Sequence, residues 1–466
     1  MRLKTRYIIL FIFCAIFLIS ATILLKYAAG YQYNFKKNIW QKTGILVLES
    51  IPKNADIFLN GKLQKQKTPT KIMNLFPGDY LVKLQKLNSF EWQKNLIISP
   101  NLTTFAQNII LFKKNQSPAL LLNKNIGYFK LFSDNKRMLY LTLNKAFFEF
   151  WIFDFETKKE KFLNSIPLTQ LTKINNFSFD ATEKKFLIEG NNNLREINYL
   201  ILNVEKPKEI IFLNEFALGF QNIKWHQKND KILYGITKIK NQSILAQINL
   251  KDKKIISIIS ETTDILDYYF DKEFIYYLTL TLNLENKNVF LKRINKNNSN
   301  ASVKIGQEIA RLPFAFYSFK FSPVNTLTIL DEKNQLLYLI SIQPEIQKII
   351  LEAKDALWSK DQKKLLYYND LELWICYLNQ EKLKESYHEL LGRWSQKISK
   401  AIWHSQENYS IFASLDSIKA IEIDNRNQKN ITQLLKSEKI EDIFFSSKNK
   451  ILYFIKEKKL YEMEIY

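Results

Sequence analysis

The chain has 466 residues, 46% of them hydrophobic and 14% aromatic, and carries 68 Lys and Arg against 46 Asp and Glu for a formal charge of +22. Only ten Gly and ten Pro accompany them, which excludes a fibrous or disordered chain, and the length allows several domains or one large repeat array. The two cysteines, Cys14 and Cys376, exclude a disulfide framework and a Cys-rich metal motif, so the fold has to rest on its core.

The first element is the apolar run "YIILFIFCAIFLISATILL", Tyr7 to Leu25. It holds no charge, and as a helix it spans roughly 28 Å at about 1.5 Å per residue, the thickness of a bilayer core. Arg2, Lys4 and Arg6 precede it, so the positive-inside tendency keeps residues 1–6 in the cytoplasm and exports the rest of the chain. A cleaved signal peptide with Ala28-Ala29-Gly30 as its site is the alternative, but the apolar run exceeds the usual signal length. We expect an uncleaved transmembrane helix over 7–25, whose partner is the lipid bilayer, and a linker over 26–42.

From Thr43 the pattern becomes alternation and turns: "GILVLES", "ADIFLNGK", "TPTKIMNL", "PGDYLVKLQK", "WQKNLIIS" and "TTFAQNIILF". Period-two alternation between Pro, Gly and Asn predicts short antiparallel strands. Asn60-Gly61 predicts a type I′ hairpin, since both residues accept positive φ, and Pro77-Gly78 predicts a type II turn. Ser50, Pro52, Ala55, Asn60, Gly61, Thr68, Pro69, Pro77, Gly78, Tyr80, Phe90 and Trp92 together resemble the signature of the PEGA domain, over about Thr43 to Phe112. Lys53-Asn54 stands where Glu-Gly would, and Asn54 still tolerates the left-handed conformation. The resemblance implies a small β-sandwich-like module over 43–112 in an envelope protein of bacterial type, with an adhesion, scaffold or wall-associated role.

The remaining chain repeats one unit: an aromatic closing a strand, a polar turn, then a Leu/Ile-aromatic strand. Aligned on the aromatic, it gives Phe132, Phe179, Trp225, Phe270, Phe321, Trp358, Trp403 and Phe445, with spacings of 47, 46, 45, 51, 37, 45 and 42 residues. That is the period of a four-stranded propeller blade, and sheets stacked radially bury the faces that one sheet alone leaves bare. The predicted fold is therefore all-β behind one transmembrane helix, with a β-propeller over 117–466 of eight blades, or seven if "FDKEFIYY" is not a unit. The last repeat supplies three strands, so Ala119 to Asn123 is expected to complete it by pairing near Leu460 to Ile465.

No chemistry-bearing constellation stands out, and we assign no catalytic, cofactor or metal residue and expect no enzyme. His226 and His404 each follow an anchor tryptophan, but Ser133, Asp180, Asp271, Ser322, Ser359 and Ser446 fill the same slot, which reads as a polar turn starter. "YHELLG" has Gly392 where a zinc helix needs its second histidine. Glu261, Asp264 and Asp267 read as a solvated acidic loop, and Gly306 has no second glycine for a phosphate loop. Trp374, Tyr367, Tyr368 and Tyr377 crowd one unit and could stack on sugars. The lysines are dispersed among Asn and Ile, which reads as solvated surface, so no nucleic acid is expected. The expectation is a membrane-anchored extracytoplasmic binding or scaffold protein of the cell envelope, its propeller facing a protein or glycan. An envelope glycan-processing enzyme and an electrostatic binder of anionic wall polymers are the alternatives.

Overall fold

The structure, a computed structural model, describes residues 3–282, 287–296, 306–323, 325–342, 345–379, 382–446 and 450–466; Arg2 and the turn residues 447–449 of the last repeat lie outside them. Helix α1 (Leu3–Ala28) contains the apolar stretch, which runs from Tyr7 to Ala28 and is not covered by any other part of the chain. Its apolar residues face all round, as a helix in lipid requires. The segment expected as a plain linker folds into a hairpin, β1 (Tyr31–Asn34) with β2 (Ile39–Lys42). The Tyr33 ring meets Phe35 and Trp40 edge-on, and the Lys26 ammonium lies 5.0 Å from the Trp40 ring centre. An aromatic cluster at the end of an apolar helix suits a headgroup layer, where amphipathic rings are favoured.

Two sheets follow, facing each other across one core. The first orders β6 (Thr70–Leu75), β3 (Gly44–Ile51) and β9 (Thr103–Ile110), with β3 and β9 parallel; the second orders β5 (Lys62–Lys67), β4 (Asp56–Leu59), β7 (Gly78–Gln85) and β8 (Trp92–Ile98). Leu46, Leu48, Ile57, Val82, Leu84, Leu96 and Ile109 fill the core, the inward half of each alternating strand. Each such side chain contributes about 1.5–3 kcal/mol relative to exposure. Asn60 and Gly61 take φ of 48° and 78°, as the type I′ hairpin requires, and Asn54 is left-handed at 63°. Pro77-Gly78 does not form the expected type II turn: Gly78, at φ 150°, already begins β7. Gly44 is needed for close approach, since a Cβ there would meet the Ser99 carbonyl at 2.5 Å.

Residues 119–464 form eight four-stranded sheets, each a simple meander. In order, the first seven span residues 126–167, 173–212, 221–261, 264–312, 317–352, 355–393 and 398–436; the eighth joins 440–464 to strand β10 (Ala119–Leu122). Ala119 pairs with Glu462, Leu120 with Tyr461 and Leu122 with Leu460, so the amino-terminal strand closes the last sheet as expected. A separate core fills each gap between successive sheets, and the eighth packs on the first through Phe444, Tyr453, Met138 and Phe155. The result is a closed propeller-like ring.

The first strand of each sheet lies at its inner edge, and first strands of neighbouring sheets approach one another, as 398–403 and 440–445 do. Anchor tryptophans staple the gaps: Trp225 donates to the Ser178 carbonyl at 3.0 Å and Trp403 to the Leu357 carbonyl at 2.9 Å. One anchor is corrected. Strand register aligns Leu131 with the other anchors, while Phe132 starts the following turn; Phe321 lies two residues beyond the strand Tyr317–Phe319 and is exposed. The ring has two distinct faces because its strands alternate in direction. Second-to-third turns and sheet-to-sheet connections emerge on one face, and first-to-second and third-to-fourth turns on the other.

The small domain holds the second of these faces, here called proximal, at the seventh and eighth sheets. Lys94 on β8 is fully buried and meets Glu422 at 3.0 Å and Asp424 at 3.4 Å. Trp92 donates to Glu422 at 3.1 Å, Asn430 donates to Glu422 at 2.7 Å, and the Lys113 amide donates to the Ile465 carbonyl at 2.9 Å. A charge network centred on a fully buried ammonium and a buried carboxylate is a rigid joint, because any sliding leaves a buried charge unpaired.

Candidate functional site

The axial wall of the ring is built by a repeated local device. In five of the eight first strands a β-bulge precedes the residue three positions before the strand end: Tyr128, Asn176, Asp267, Lys400 and Asp442. Asn222 and Asp355 hold the equivalent place in the third and sixth sheets. A bulge twists the strand and re-aims the side chain that follows it. Here it presents polar groups from seven of the eight sheets along the axis.

These groups contact one another from sheet to sheet. The Tyr128 hydroxyl donates to the Asn176 side-chain oxygen at 2.9 Å. Asn222 donates to Asp267 at 2.7 Å, and the Lys224 ammonium pairs with the same carboxylate, whose other oxygen accepts the Phe319 amide at 2.8 Å. Lys400 pairs with Asp355 at 3.0 Å, and Asp442 lies close enough to act on both. Burial raises the Asp442 carboxyl, Lys400 pulls it back, and the Asp355 charge adds to the rise, so the net shift is upward. Burial depresses the Lys400 ammonium, but Asp355 and Asp442 more than offset it. Burial also raises Tyr128, with a further push from Asp442.

Lys130 shows what kind of space this is. Its side chain is reached by solvent, yet desolvation pulls its amine down and its one polar contact is the Phe177 carbonyl at 3.5 Å. That is an amine reached by solvent but crowded by the neighbouring strand, and Asp355 and Lys400 are partly open too, with 33% and 30% of their side chains exposed. The wall therefore offers paired donors and acceptors of both signs to a polar ligand.

The residues singled out in the sequence go elsewhere. His226 and His404 sit in turns of the third and seventh sheets and do not meet; each ring accepts the amide two residues on, Lys228 at 3.0 Å and Gln406 at 3.4 Å. Asp180 does the same to Thr182 at 3.0 Å, which is the turn-starting role expected of the slot. "YHELLG" lies on the strand Tyr387–Arg393 and not on a helix. Glu261, Asp264 and Asp267 are not a solvated cluster: Glu261 is buried against Lys292 and Tyr277, Asp264 pairs with Lys238, and Asp267 belongs to the axial ring. Tyr367 and Tyr368 are buried in different gaps, Tyr367 against Trp374, and Tyr377 packs on Tyr387, so they form no common platform for a sugar. A cleft of about 310 Å³ between the small domain and the ring is lined by Trp92, Tyr409, Asp424 and Arg426. Its charges pair with each other, Arg426 with Asp424 and with the Phe105 carbonyl, and it belongs to the joint.

A ring of four-stranded meanders around a polar axis, carried behind an apolar helix, defines a propeller-type protein. No protein-family model matches the chain, and no curated protein matches it in sequence. Solved structures share its layout at low identity. Oligogalacturonate lyase from Vibrio parahaemolyticus aligns with 14% identity over 74% of this chain and 91% of its own, with a TM-score of 0.40. The Myceliophthora thermophila Swd1 β-propeller domain aligns with 8% identity over 75% of this chain and all of its own, with a TM-score of 0.41. Dipeptidyl peptidase 4 from Porphyromonas gingivalis gives 10%, 72%, 56% and 0.47 respectively. Enzymes stand among the solved structures that align with it, and the expectation that this chain is no enzyme is withdrawn. Its physical weakness is plain: it rested on motifs contiguous in sequence, whereas the fold brings Asp355, Lys400 and Asp442 together from three units.

Proposed function

We propose that this is a membrane-anchored, extracytoplasmic binding protein of the cell envelope. Helix residues 7–25 cross the bilayer with the amino-terminal tail in the cytoplasm, the PEGA-like domain over 43–112 is a strut, and each of the eight sheets is one blade of a propeller over 117–466. The axial ring is its binding surface, and a polar ligand, a glycan or a protein segment, is its partner. The observation that carries this reading is the Asp355–Lys400–Asp442 cluster, which brings charges of both signs together from three sheets with Asp355 and Lys400 partly exposed. Groups with no role beyond the fold would cost less if replaced by apolar ones.

One observation favours a second reading, an envelope glycan-processing enzyme. A carboxyl raised above its ordinary range beside a second carboxylate is the arrangement that separates an acid from a base. Among the described residues the axis carries Asp267, Asp355 and Asp442 beside Lys224 and Lys400, not the continuous lysine stripe that an electrostatic polymer binder would need. The test is equilibrium binding of neutral, acidic and amino-sugar oligosaccharides to the detergent-solubilised chain, beside Lys400→Met and Asp442→Asn. Saturable binding lost in both variants supports the reading; unchanged binding in both removes the axial cluster as the site. Turnover of a bound oligosaccharide, lost in Asp442→Asn, would establish the second reading.

A further inference from the structure

The face of the ring away from the small domain carries bare apolar tips. Leu143 and Phe147 flank the second turn of the first sheet, Leu194 and Ile239 stand at the equivalent turns of the second and third, and Phe314 and Phe316 lie between the fourth and fifth. Their exposure runs from 41% at Phe147 to 76% at Leu194, so they add nothing to any core. On the proximal face the turns leave only Phe321 and Ile346 so exposed among the described residues, with Ile255, Ile256, Tyr387 and Ile431 near the feet of outer strands. The asymmetry belongs to the face, since the same repeat builds both.

Each tip also carries a cation. Lys145 lies between Leu143 and Phe147, Arg195 follows Leu194, Lys240 follows Ile239, and the Lys287 ammonium stands 5.4 Å from the Phe314 ring centre. None of these four forms an ion pair among the described residues, and nearby acids are occupied: Glu196 accepts from Asn192 at 2.9 Å and Asp264 pairs with Lys238 at 2.7 Å.

We propose that this distal face docks on an anionic lipid bilayer other than the one holding the anchor. The tips are separated by polar turns and distributed over several sheets, whereas a protein partner is usually met by one contiguous apolar patch. Strand ends of one ring share a common level, so a flat surface touches all of them together. Apolar side chains then enter the acyl boundary while the neighbouring cations sit among phosphates, the chemistry of interfacial binding. The bilayer of the anchor is out of reach, because Lys94 and its partners clamp the small domain to the opposite face.

The experiment holds the full chain in phosphatidylcholine nanodiscs and adds free vesicles in trans, of phosphatidylcholine alone or mixed with phosphatidylglycerol. Capture of the mixed vesicles only is expected, weakening with salt and falling about fivefold for each tip cation replaced by Gln. Phe314→Ser with Phe316→Ser should reduce capture further, while Phe321→Ser on the proximal face leaves it unchanged. All seven of these positions are exposed, so folding is not at stake. Equal capture of both vesicle types, indifference to the tip substitutions, or absence of capture overturns the proposal. Crosslinking of the tips to an envelope protein in place of vesicle capture would overturn it too. Axial variants such as Asp442→Asn should not affect capture, which separates this inference from the ligand-binding reading.

Discussion

Lys94 is where a single side chain holds two domains together. It has no solvent exposure and reaches Glu422 and Asp424 from another fold unit. Lys94→Met would strand Glu422 in the joint with only Trp92 and Asn430 as partners. We expect a loss of about 3–5 kcal/mol in chemical denaturation, mostly recovered when Glu422→Gln is added, because the cost comes from the orphaned charge. His404 makes the complementary point about protonation. It is fully buried between Phe445 and Tyr466, its Nε2 has no partner, and burial followed by the Lys360 charge depresses it from 6.5 to about 4. The unfolded chain binds this proton between those two values and the folded chain does not, so stability rises with pH across that window and is level above it. The span corresponds to about 3 kcal/mol. Unfolding followed from pH 4 to pH 7 should show this slope, and His404→Phe should flatten it; an unchanged slope would assign it to other groups.

At the scale of elements, β10 decides whether the ring is closed. Leu122 sits in the core between the eighth and first sheets. Leu122→Ala should cost about 2–5 kcal/mol and lower the urea midpoint, with self-association where the freed edge of Lys459–Glu464 finds another chain. The turn and strand signals that announced these elements were local, and they were legible for that reason. Asn60-Gly61 and Asn54 adopt the conformations their chemistry favours, whereas Gly78 was absorbed by its strand because pairing with Ile98 outweighs a turn preference. The repeat was legible through its aromatics, and its misplaced anchor, Phe132, is an aromatic lying one residue beyond the strand end. The axial ring was not legible. Tyr, Asn, Asp and Lys at one repeat position share no residue type, and only the bulge, a backbone feature, gives them a common direction.

Taken whole, the molecule carries its +22 charge without an uninterrupted basic strip along its axis among the described residues, since Asp267, Asp355 and Asp442 are interspersed with Lys224 and Lys400. Soluble polyanions should therefore bind weakly and dissociate by physiological salt, measured by retention on a sulfated polysaccharide column. Retention at that salt would restore the polymer-binding alternative.

Ring closure by β10 has a consequence for how the protein is made. Lys113, beside that strand, and Glu464, in its partner, are 351 residues apart. A chain emerging amino terminus first at about 5–20 residues per second presents β10 roughly 20 to 70 s before its partner exists. Seven sheets can stack in that interval, but the gap between the first and the eighth stays open to the end. Folding of this protein thus has a late, single-step commitment, and whatever guards nascent strands must guard Ala119–Leu122 for the whole of that wait.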